Sequence, residues 1–545
     1  MKKILATAAI LTAFMPLAAQ ETYENARTAQ QDLNGTARYV GMGGAMEALG
    51  ADLSTISSNP AGIGLFRRSN ISISAGLVSQ SGVSDAVGGH KTNLSFDQAG
   101  GVYSVRTGET SFLNFAFNYH KSRNFNQILS AAADLDHASM NKLTYAKAKN
   151  GLLYRQHDGV GALAGYQVSS LSNPYIQCNL LDEMLTRGLN YDEQRVDANG
   201  NPLLWVYDDA NHYQFDRAQK GYVSDFDFNI SGNINNRLYL GVTLGLHHVS
   251  YKHYSEYTET IPYDYSDPSA GNYLLTVGDN REITGSGFDV KAGVIFRPVA
   301  TSPFRVGLYV STPTFYELHT KGHAFITDGP YTMTSNAEGI SEARARSDYK
   351  FKLYTPWKFG ASLGHTIGNN IALGATYEYA DYTTLDTRYI TNEYYDYDGY
   401  GNNSESDQVM NSHTERTLKG VHMLKVGAEY KPIKNVALRI GYNYVSPMYK
   451  KDGYKNGALD SDASYISTAT DFTNWEDTHR LTLGAGYTYQ KFNVSLAYQY
   501  STTKGTFYPF MSYEEAPGAP DNNIADGVSV KNNRHQLLLT LGYSF

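Results

Sequence analysis

The feature that most constrains the fold is an alternation of apolar and polar residues with a period of two, which recurs in about fourteen segments from Ser69 to Phe545. The connections between these segments are short and long in turn. A strand that crosses a tilted membrane barrel needs roughly 9 to 11 residues, and its side chains face lipid and lumen alternately. The pattern therefore predicts an all-β chain, a transmembrane antiparallel β-barrel of about 14 strands.

Individual segments follow the alternation closely. In the segment from Arg237 to His247, Leu238, Leu240, Val242, Leu244 and Leu246 share one face. In the last segment Leu537, Leu539, Leu541, Tyr543 and Phe545 do the same. One such stripe also fits a soluble sandwich, so the number, length and spacing of the stripes favour the membrane barrel.

The lengths of the connections predict the topology. Strands are predicted near 70–80, 97–106, 111–122, 222–234, 237–253, 284–298, 304–320, 346–367, 371–389, 415–432, 435–450, 476–490, 491–505 and 531–545. Short turns of such barrels face the periplasm and long loops face outside. The turns at 107–110, 235–236, 297–303, 368–370, 432–434 and Gln490 are therefore expected in the periplasm. An even strand count returns the terminal Phe545 to that side, where the barrel assembly machinery would recognise it.

Composition is compatible with this fold. The net charge is -8 and the mean hydropathy is -0.41, values that would argue against membrane helices but not against a barrel, because only alternate strand residues meet lipid. The 45 tyrosines suit the aromatic girdles at the two membrane interfaces. The charge is too small to indicate a nucleic-acid partner.

The first residues predict export. Lys2 and Lys3 precede an apolar run that is too short to span a membrane, so residues 1–20 read as a signal peptide cleaved after Ala19 or Gln20. The expected location is the bacterial outer membrane, in contact with its lipid. Cys178 is the only cysteine, so an internal disulfide is excluded.

A lumen of this size needs a plug, since eight strands are filled by side chains whereas 16 to 18 leave a water channel. Residues 21–68 are rich in Gly and Ala and precede the barrel at 69–545. We therefore expect residues 21–68 to form a hatch inside the lumen.

Two motifs in this stretch resemble a known family. Residues 37–45 (ARYVGMGGA) and 59–62 (NPAG) are similar to the hatch of the FadL/TodX family of outer-membrane transporters of long-chain fatty acids and other hydrophobic compounds. Further similar segments lie at 355–360, 426–432, 438–442 and 483–487. The resemblance implies that loops catch a hydrophobic molecule, a lumen pocket binds it, and it leaves through a gap at a kinked strand. It also implies that Asn59, Pro60 and Ala61 form the hatch contact, although Asn-Pro is equally typical of a simple turn.

A lumen that binds a fatty acid needs apolar walls and a cation for the carboxylate. Alternation places Lys291, Arg305, Lys358, Lys425 and Arg439 on the inward face, together with Asp289, Glu378 and Glu429, which can pair with them. Lys358 and Arg439 are the first candidates, because they lie in the family-like segments.

The long connection at about 124–220 is predicted to be a partly helical extracellular insertion. Leu163 and Val168 fall on one amphipathic face, and Leu181, Met184 and Leu185 on a second. These faces either pack together over the barrel mouth or form the first docking site for the substrate.

The sequence does not predict an enzyme, a cofactor or a metal site. Gly360-Ala361-Ser362-Leu363-Gly364 matches the G-x-S-x-G pattern but lies within a predicted strand rather than a strand-to-helix turn. His247, His248 and His253 leave a haem-binding receptor open as an alternative, beside a surface adhesin and a plain aqueous porin.

Overall fold

Antiparallel strands form a closed barrel, and each strand pairs with its neighbours in sequence order. The computed structural model describes residues 21–140, 142–143, 153–155, 166–168, 209–262, 267, 269, 271–328, 331–332, 346–391, 403–457, 469–514, 516–519 and 522–545. The first and last strands pair from Asn70↔Ser544 to Ser81↔Asn533, which closes the sheet. The described chain is therefore a transmembrane barrel of 14 strands, as predicted.

In chain order the barrel strands are Asn70–Ser81, Thr92–Arg106, Phe112–Asn124, Ala210–Ile234, Leu238–Pro262, Asn272–Phe296, Arg305–Ser311 with Phe315–Asp328, Arg346–Tyr354 with Lys358–Ile367, Ile371–Asp381, Gly420–Ile433, Val436–Val445, Phe472–Tyr489, Phe492–Tyr508 and Val528–Ser544. The seventh strand is interrupted between Ser311 and Phe315, and the eighth strand between Tyr354 and Lys358. Pro313 and Pro356 lie in these interruptions and have no N–H to donate to a sheet.

Alternation decides which side chains face outward. On the fifth strand Leu240, Val242, Leu244 and Leu246 are 43 to 54% exposed, whereas Tyr239 and Thr243 are buried. Leu537, Leu539 and Leu541 on the last strand are exposed in the same way. Such an apolar outer belt is the lipid-facing surface of a membrane barrel. No helix in the described part of the chain is long and apolar enough to span a membrane.

Three strands extend far beyond the membrane on the side of the long loops. The fourth, fifth and sixth strands have 25 residues each, more than twice the length needed to cross. Gln127–Ala138 continues the third strand and pairs with the fourth. Short strands Asn403–Ser406 and Asp386–Thr391 pair with each other, and the latter pairs with Arg346–Tyr354. Tyr331–Thr332 pairs with Phe315–Asp328.

At both ends of the predicted partly helical insertion at 124–220 the structure describes strands. Gln127–Ala138 and the first half of Ala210–Ile234 are strands, because their buried faces continue the alternation into an apolar cluster outside the membrane. Within the insertion, Leu153–Arg155 pairs with Tyr166–Val168. The first predicted helix is therefore interrupted by a strand that ends at Val168. Leu163, Leu181, Met184, Leu185 and Cys178 lie outside the described residues.

In the described residues, helices are few and short. Thr22–Ala29, Ala37–Gly41 and the 3₁₀ turns Leu53–Ser57 and Pro60–Leu65 precede the barrel, while Tyr382–Thr384 and Gln408–Thr417 lie in outer loops. Asp407 caps the last of these helices by accepting a hydrogen bond from Met410 N. We call residues 21–66 the N-terminal segment.

Candidate functional site

The N-terminal segment runs through the barrel from its outer end to its periplasmic end. Thr22 Oγ1 lies 3.0 Å from His413 Nδ1 in an outer loop. At the other end Asn114 Nδ2 of the third strand donates to Ile63 O at 2.8 Å. Between these points most residues of the segment are buried. The segment therefore lies within the ring of strands, where the sequence predicted a hatch.

Eight glycines on consecutive strands, from the fifth to the twelfth, form the surface against which this segment packs. We call them the glycine surface; they are Gly241, Gly293, Gly307, Gly364, Gly374, Gly427, Gly441 and Gly484. A Cβ built on Gly374 would lie 1.9 Å from Ala45 O, and one on Gly427 would lie 2.2 Å from Met42 O. Real Cβ atoms do not approach other atoms so closely. The close backbone contact thus depends on the absence of side chains at these positions.

Four members of the glycine surface lie directly opposite one another on neighbouring strands. Gly364 pairs with Gly374, Gly374 with Gly427, and Gly427 with Gly441. The glycines therefore form a continuous shallow groove in the wall rather than isolated gaps.

Asn59, Pro60 and Ala61, the predicted hatch contact, lie at one end of this groove. The Asn59 side chain accepts a hydrogen bond from Ala61 N at 3.2 Å and caps the 3₁₀ turn. A Cβ on Gly293 would lie 2.0 Å from Asn59 Oδ1. Pro60 O accepts from Ser231 Oγ at 2.9 Å. The motif is thus both a turn and a wall contact.

Ion pairs join the segment to the wall. Glu47 is fully buried and binds Lys425 at 2.8 Å. Arg38 approaches Glu429 at 3.1 Å, and Arg439 binds the same carboxylate at 2.7 Å. Lys425 and Arg439 face inward as predicted, but both are occupied by internal carboxylates.

Two further predicted cations also have internal partners. Arg305 Nη1 donates to Leu49 O at 2.9 Å. Lys291 lies 2.6 Å from Asp289 and 3.3 Å from Asp227. It belongs to a closed ring of buried groups in which His120, Asp225, His247, Asp289, Lys291 and Asp227 follow one another at 2.6 to 3.5 Å.

Two adjoining cavities lie between the N-terminal segment and the outer loops. The outer one has a volume of about 150 Å³ and the inner one about 70 Å³. Lys358 lines both and donates to Gln31 Oε1 at 2.6 Å. Arg439 lines neither cavity. Alternation predicts that a side chain faces the lumen, but it does not predict how deep in the lumen that residue lies. The apolar lining of the outer cavity includes Val78, Phe125, Val421, Met423, Val445, Met448 and Trp475.

Three arginines in the outer cavity surround a single carboxylate of the N-terminal segment. Arg123 Nη1 lies 2.9 Å from Asp32 Oδ1, Arg534 lies 3.7 Å from Oδ2, and Arg480 lies 3.9 Å from Oδ1. Burial alone would raise the pKa of Asp32, but the three guanidinium groups outweigh it and hold that pKa below its usual range. These three guanidinium groups outnumber the one carboxylate that they surround, although Asp97, Glu378 and Glu476 also line the cavity.

A gap opens in the barrel wall next to this cluster. Pairing between the second and third strands stops at Gln98↔His120, so residues 92–97 of the described second strand face no partner on the third. Asp97 is an extra residue relative to the first strand, which pairs Ser74 with Gln98 and Ala75 with Phe96. Such a bulge bends a strand away from its neighbour.

The N-terminal segment fills this gap. Asp32 N donates to Ser122 O at 2.7 Å, and Asp32 Oδ2 accepts from Asn124 N at 2.9 Å. Asn34 Nδ2 donates to both Lys121 O and Asp97 Oδ1 at 3.0 Å. The segment thereby satisfies backbone groups of the third strand that a neighbouring strand would otherwise bind.

The three histidines do not converge. The ring nitrogens of His247 lie 2.8 and 3.1 Å from Asp225 and Asp289. Those of His253 contact Tyr251 and Asp279 at 3.0 and 2.6 Å. His248 faces outward. Among the described residues, no group of three or more His, Cys, Asp or Glu side chains is placed to hold a metal ion.

Ser362 lies within the strand Lys358–Ile367, not on a nucleophile elbow.

Sequence reasoning missed the glycine surface and the Asp32 cluster. The inward glycines were available as a signal, since one recurs at the same position of the alternation in eight neighbouring segments. Arg123 lies just beyond the strand predicted near 111–122, and spacing does not distinguish either Arg480 or Arg534 from other inward cations.

The chain is similar to solved structures over nearly its whole length. No protein-family model and no curated protein matches it. A FadL homologue of Pseudomonas aeruginosa shares 13% identity at a TM-score of 0.49, over 94% of this chain and 99% of that one. The CymD monoaromatic hydrocarbon channel shares 11% at 0.46, over 95% and 99%. The toluene transporter TbuX of Ralstonia pickettii shares 10% at 0.44, over 94% and 99%.

Proposed function

We propose that this protein is a passive outer-membrane transporter of hydrophobic molecules, with long-chain fatty acids as its most suitable cargo. One observation carries the proposal: the cavity lies above a segment that fills the lumen and beside a gap in the wall. A molecule in the cavity therefore gains a side exit once the segment leaves the gap, whereas its axial path is blocked. The sequence resemblance to FadL/TodX transporters supports the same mechanism.

The cavity chemistry suits an amphipathic acid. Met423, Val445, Met448 and Trp475 offer apolar contacts for a chain. Three arginines share one carboxylate, Asp32, so they have capacity for a second. We therefore assign the head-group site to Arg123, Arg480 and Arg534, with Lys358 nearby, and not to Arg439.

Release would begin with the N-terminal segment leaving the gap. A cargo carboxylate competes with Asp32 for the same guanidinium groups. Loss of Asp32 from the cluster weakens the segment's contacts with Ser122 and Asn124. Binding of an acid and opening of the side exit are thereby linked.

The alternatives fit less well. A haem receptor would need a free histidine nitrogen aimed into a cavity, yet both ring nitrogens of His247 and of His253 contact other side chains. An aqueous porin would need an open lumen, whereas the glycine surface is shaped to hold a segment across it. Capture of cargo by the outer loops, and recognition of Phe545 by the assembly machinery, remain parts of the proposal that rest on the sequence.

The experiment is uptake of a radiolabelled long-chain fatty acid into vesicles that contain a locked variant. Asn34→Cys with Asp97→Cys, made in a Cys178→Ser background, can be joined by a short reducible cross-linker because the native side chains are 3.0 Å apart. We expect cross-linking to lower uptake at least about tenfold and reduction to restore it. The matched control is Ser79→Cys with Thr92→Cys, whose native side chains touch at 2.8 Å away from the segment.

The experiment can refute the side exit and the transport function separately. Uptake that persists in the locked variant would contradict the side exit. Uptake by the intact protein no faster than in empty vesicles would contradict the transporter itself.

A further inference from the structure

The periplasmic turns carry a charge opposite to that of the whole chain. The chain has a net charge of -8. Its short turns and strand ends on the periplasmic side hold Glu109 as their one acidic residue, and all of these turns are described. Beside Arg305, which is bonded to the N-terminal segment, they hold eight basic residues: Arg67, Arg68, Arg106, Arg237, Arg297, Lys431, Lys434 and Lys491. We call these eight the basic rim.

The basic rim lies where lipid head groups would be. Phe296, Tyr430, Ile433 and Phe492 are 44 to 62% exposed on the lipid-facing surface, and each adjoins a rim residue in sequence. The Arg237 guanidinium lies 6.0 Å from the centre of the Phe296 ring, and Lys491 Nζ lies 5.9 Å from that of Tyr543. Cations beside interfacial aromatic rings extend to the head-group layer with their stems against lipid.

We propose that the basic rim binds the phosphate groups of anionic phospholipids in the periplasmic-side leaflet. The rim residues lie at or beside five of the six short turns and before the first strand, so a lipid annulus fits their distribution better than one soluble partner. Each cation near an anionic bilayer surface contributes a favourable free energy that adds over neighbouring residues. This inference goes beyond cargo transport and depends only on the membrane fold.

The test is native mass spectrometry of the full chain released from nanodiscs of equal phosphatidylglycerol and phosphatidylcholine. The rim variant is Arg68→Gln, Lys434→Gln, Lys491→Gln, because these side chains make no hydrogen bond or ion pair within the described residues and their loss should not disturb the turns. The control variant is Lys91→Gln, Lys451→Gln, Lys531→Gln. It removes the same charge from exposed positions at the opposite end of the barrel.

We expect phosphatidylglycerol to be enriched about fivefold among lipids bound to the intact protein, and about twofold or less in the rim variant, given that one cation changes affinity about fivefold. The control variant should keep the enrichment of the intact protein. Equal retention of both lipids by the intact protein, or equal enrichment in the rim and control variants, would overturn the proposal.

Discussion

Adding one methyl group to each of two glycines should release the N-terminal segment. In Gly374→Ala the new Cβ would lie 1.9 Å from Ala45 O, so the segment must retreat by about 1.5 Å to reach an ordinary contact of 3.4 Å. In Gly427→Ala the same reasoning from 2.2 Å to Met42 O requires about 1.2 Å. Both obstacles are backbone atoms, which cannot rotate away.

The magnitude follows from the cost of overpacking. Forcing a methyl group into a filled site costs about 1 to 3 kcal/mol. The two positions contact one segment, so their effects are not independent, and we take about 2 to 4 kcal/mol for the double variant. Because 1.4 kcal/mol is a tenfold change in an equilibrium, the population with a displaced segment should rise about 30-fold or more.

Planar-bilayer conductance measures that population. We expect the double variant to leak ions at a level approaching that of a chain lacking residues 21–68. Gly232→Ala is the matched control, since a Cβ there would meet no atom within 4 Å. Heat-modifiable migration in gels would verify that each barrel is folded. A folded double variant that conducts no more than the Gly232→Ala control would refute the role of the glycine surface.

Three further changes probe the same site. Asn59→Ala removes the cap of the 3₁₀ turn, worth about 1 kcal/mol, so a conductance rise of roughly fivefold is expected, and an unchanged conductance would count against a hatch contact. Arg480→Gln with Arg534→Gln should raise the KM for fatty-acid uptake about tenfold or more, because hydrogen bonds to charged groups are worth about 1.5 to 3 kcal/mol; a fatty alcohol, carried in parallel, should be affected much less. The pKa of Asp32 is lowered in the folded protein, so its stabilising effect is present above the unfolded value of about 3.9 and is lost only as pH falls through the lower folded value. Conductance should therefore stay flat from pH 8 to 5, and a leak that grows over this range would show that another group controls the segment.

The sequence predicted the wall of this molecule well because a period of two is a local property. Each inward or outward assignment on the fifth strand needs no knowledge of its neighbours, and Leu240 and Thr243 lie as alternation requires. The strand lengths were underestimated beyond the membrane. Apolar residues such as Tyr213 and Phe215 there meet a cluster assembled from distant loops, which no local pattern reports.

The site was predicted less well because it depends on depth and on partners distant in sequence. Lys425 and Arg439 point inward as expected, yet Glu47, the partner of Lys425, is placed by how the segment threads the lumen, and Glu429, which lies opposite Arg439 in the wall, is shared with Arg38 of that segment. Arg480 pairs with a residue 448 positions away. Alternation identifies a candidate cation, and only the three-dimensional arrangement shows whether an internal carboxylate already occupies it.

Under the proposed function, the Asp32 cluster gives a passive transporter a means to favour acids over neutral molecules. Removing Asp32 from three arginines without replacement leaves buried cations uncompensated, which is costly. An incoming carboxylate replaces one anion by another, so the charge of the cluster is unchanged and the segment is freed at little cost. An alcohol or a hydrocarbon offers no such exchange. Asp32→Asn should therefore free the segment without an incoming acid and raise the uptake of a fatty alcohol, and an alcohol uptake that stays unchanged in this variant would show that the exchange does not occur.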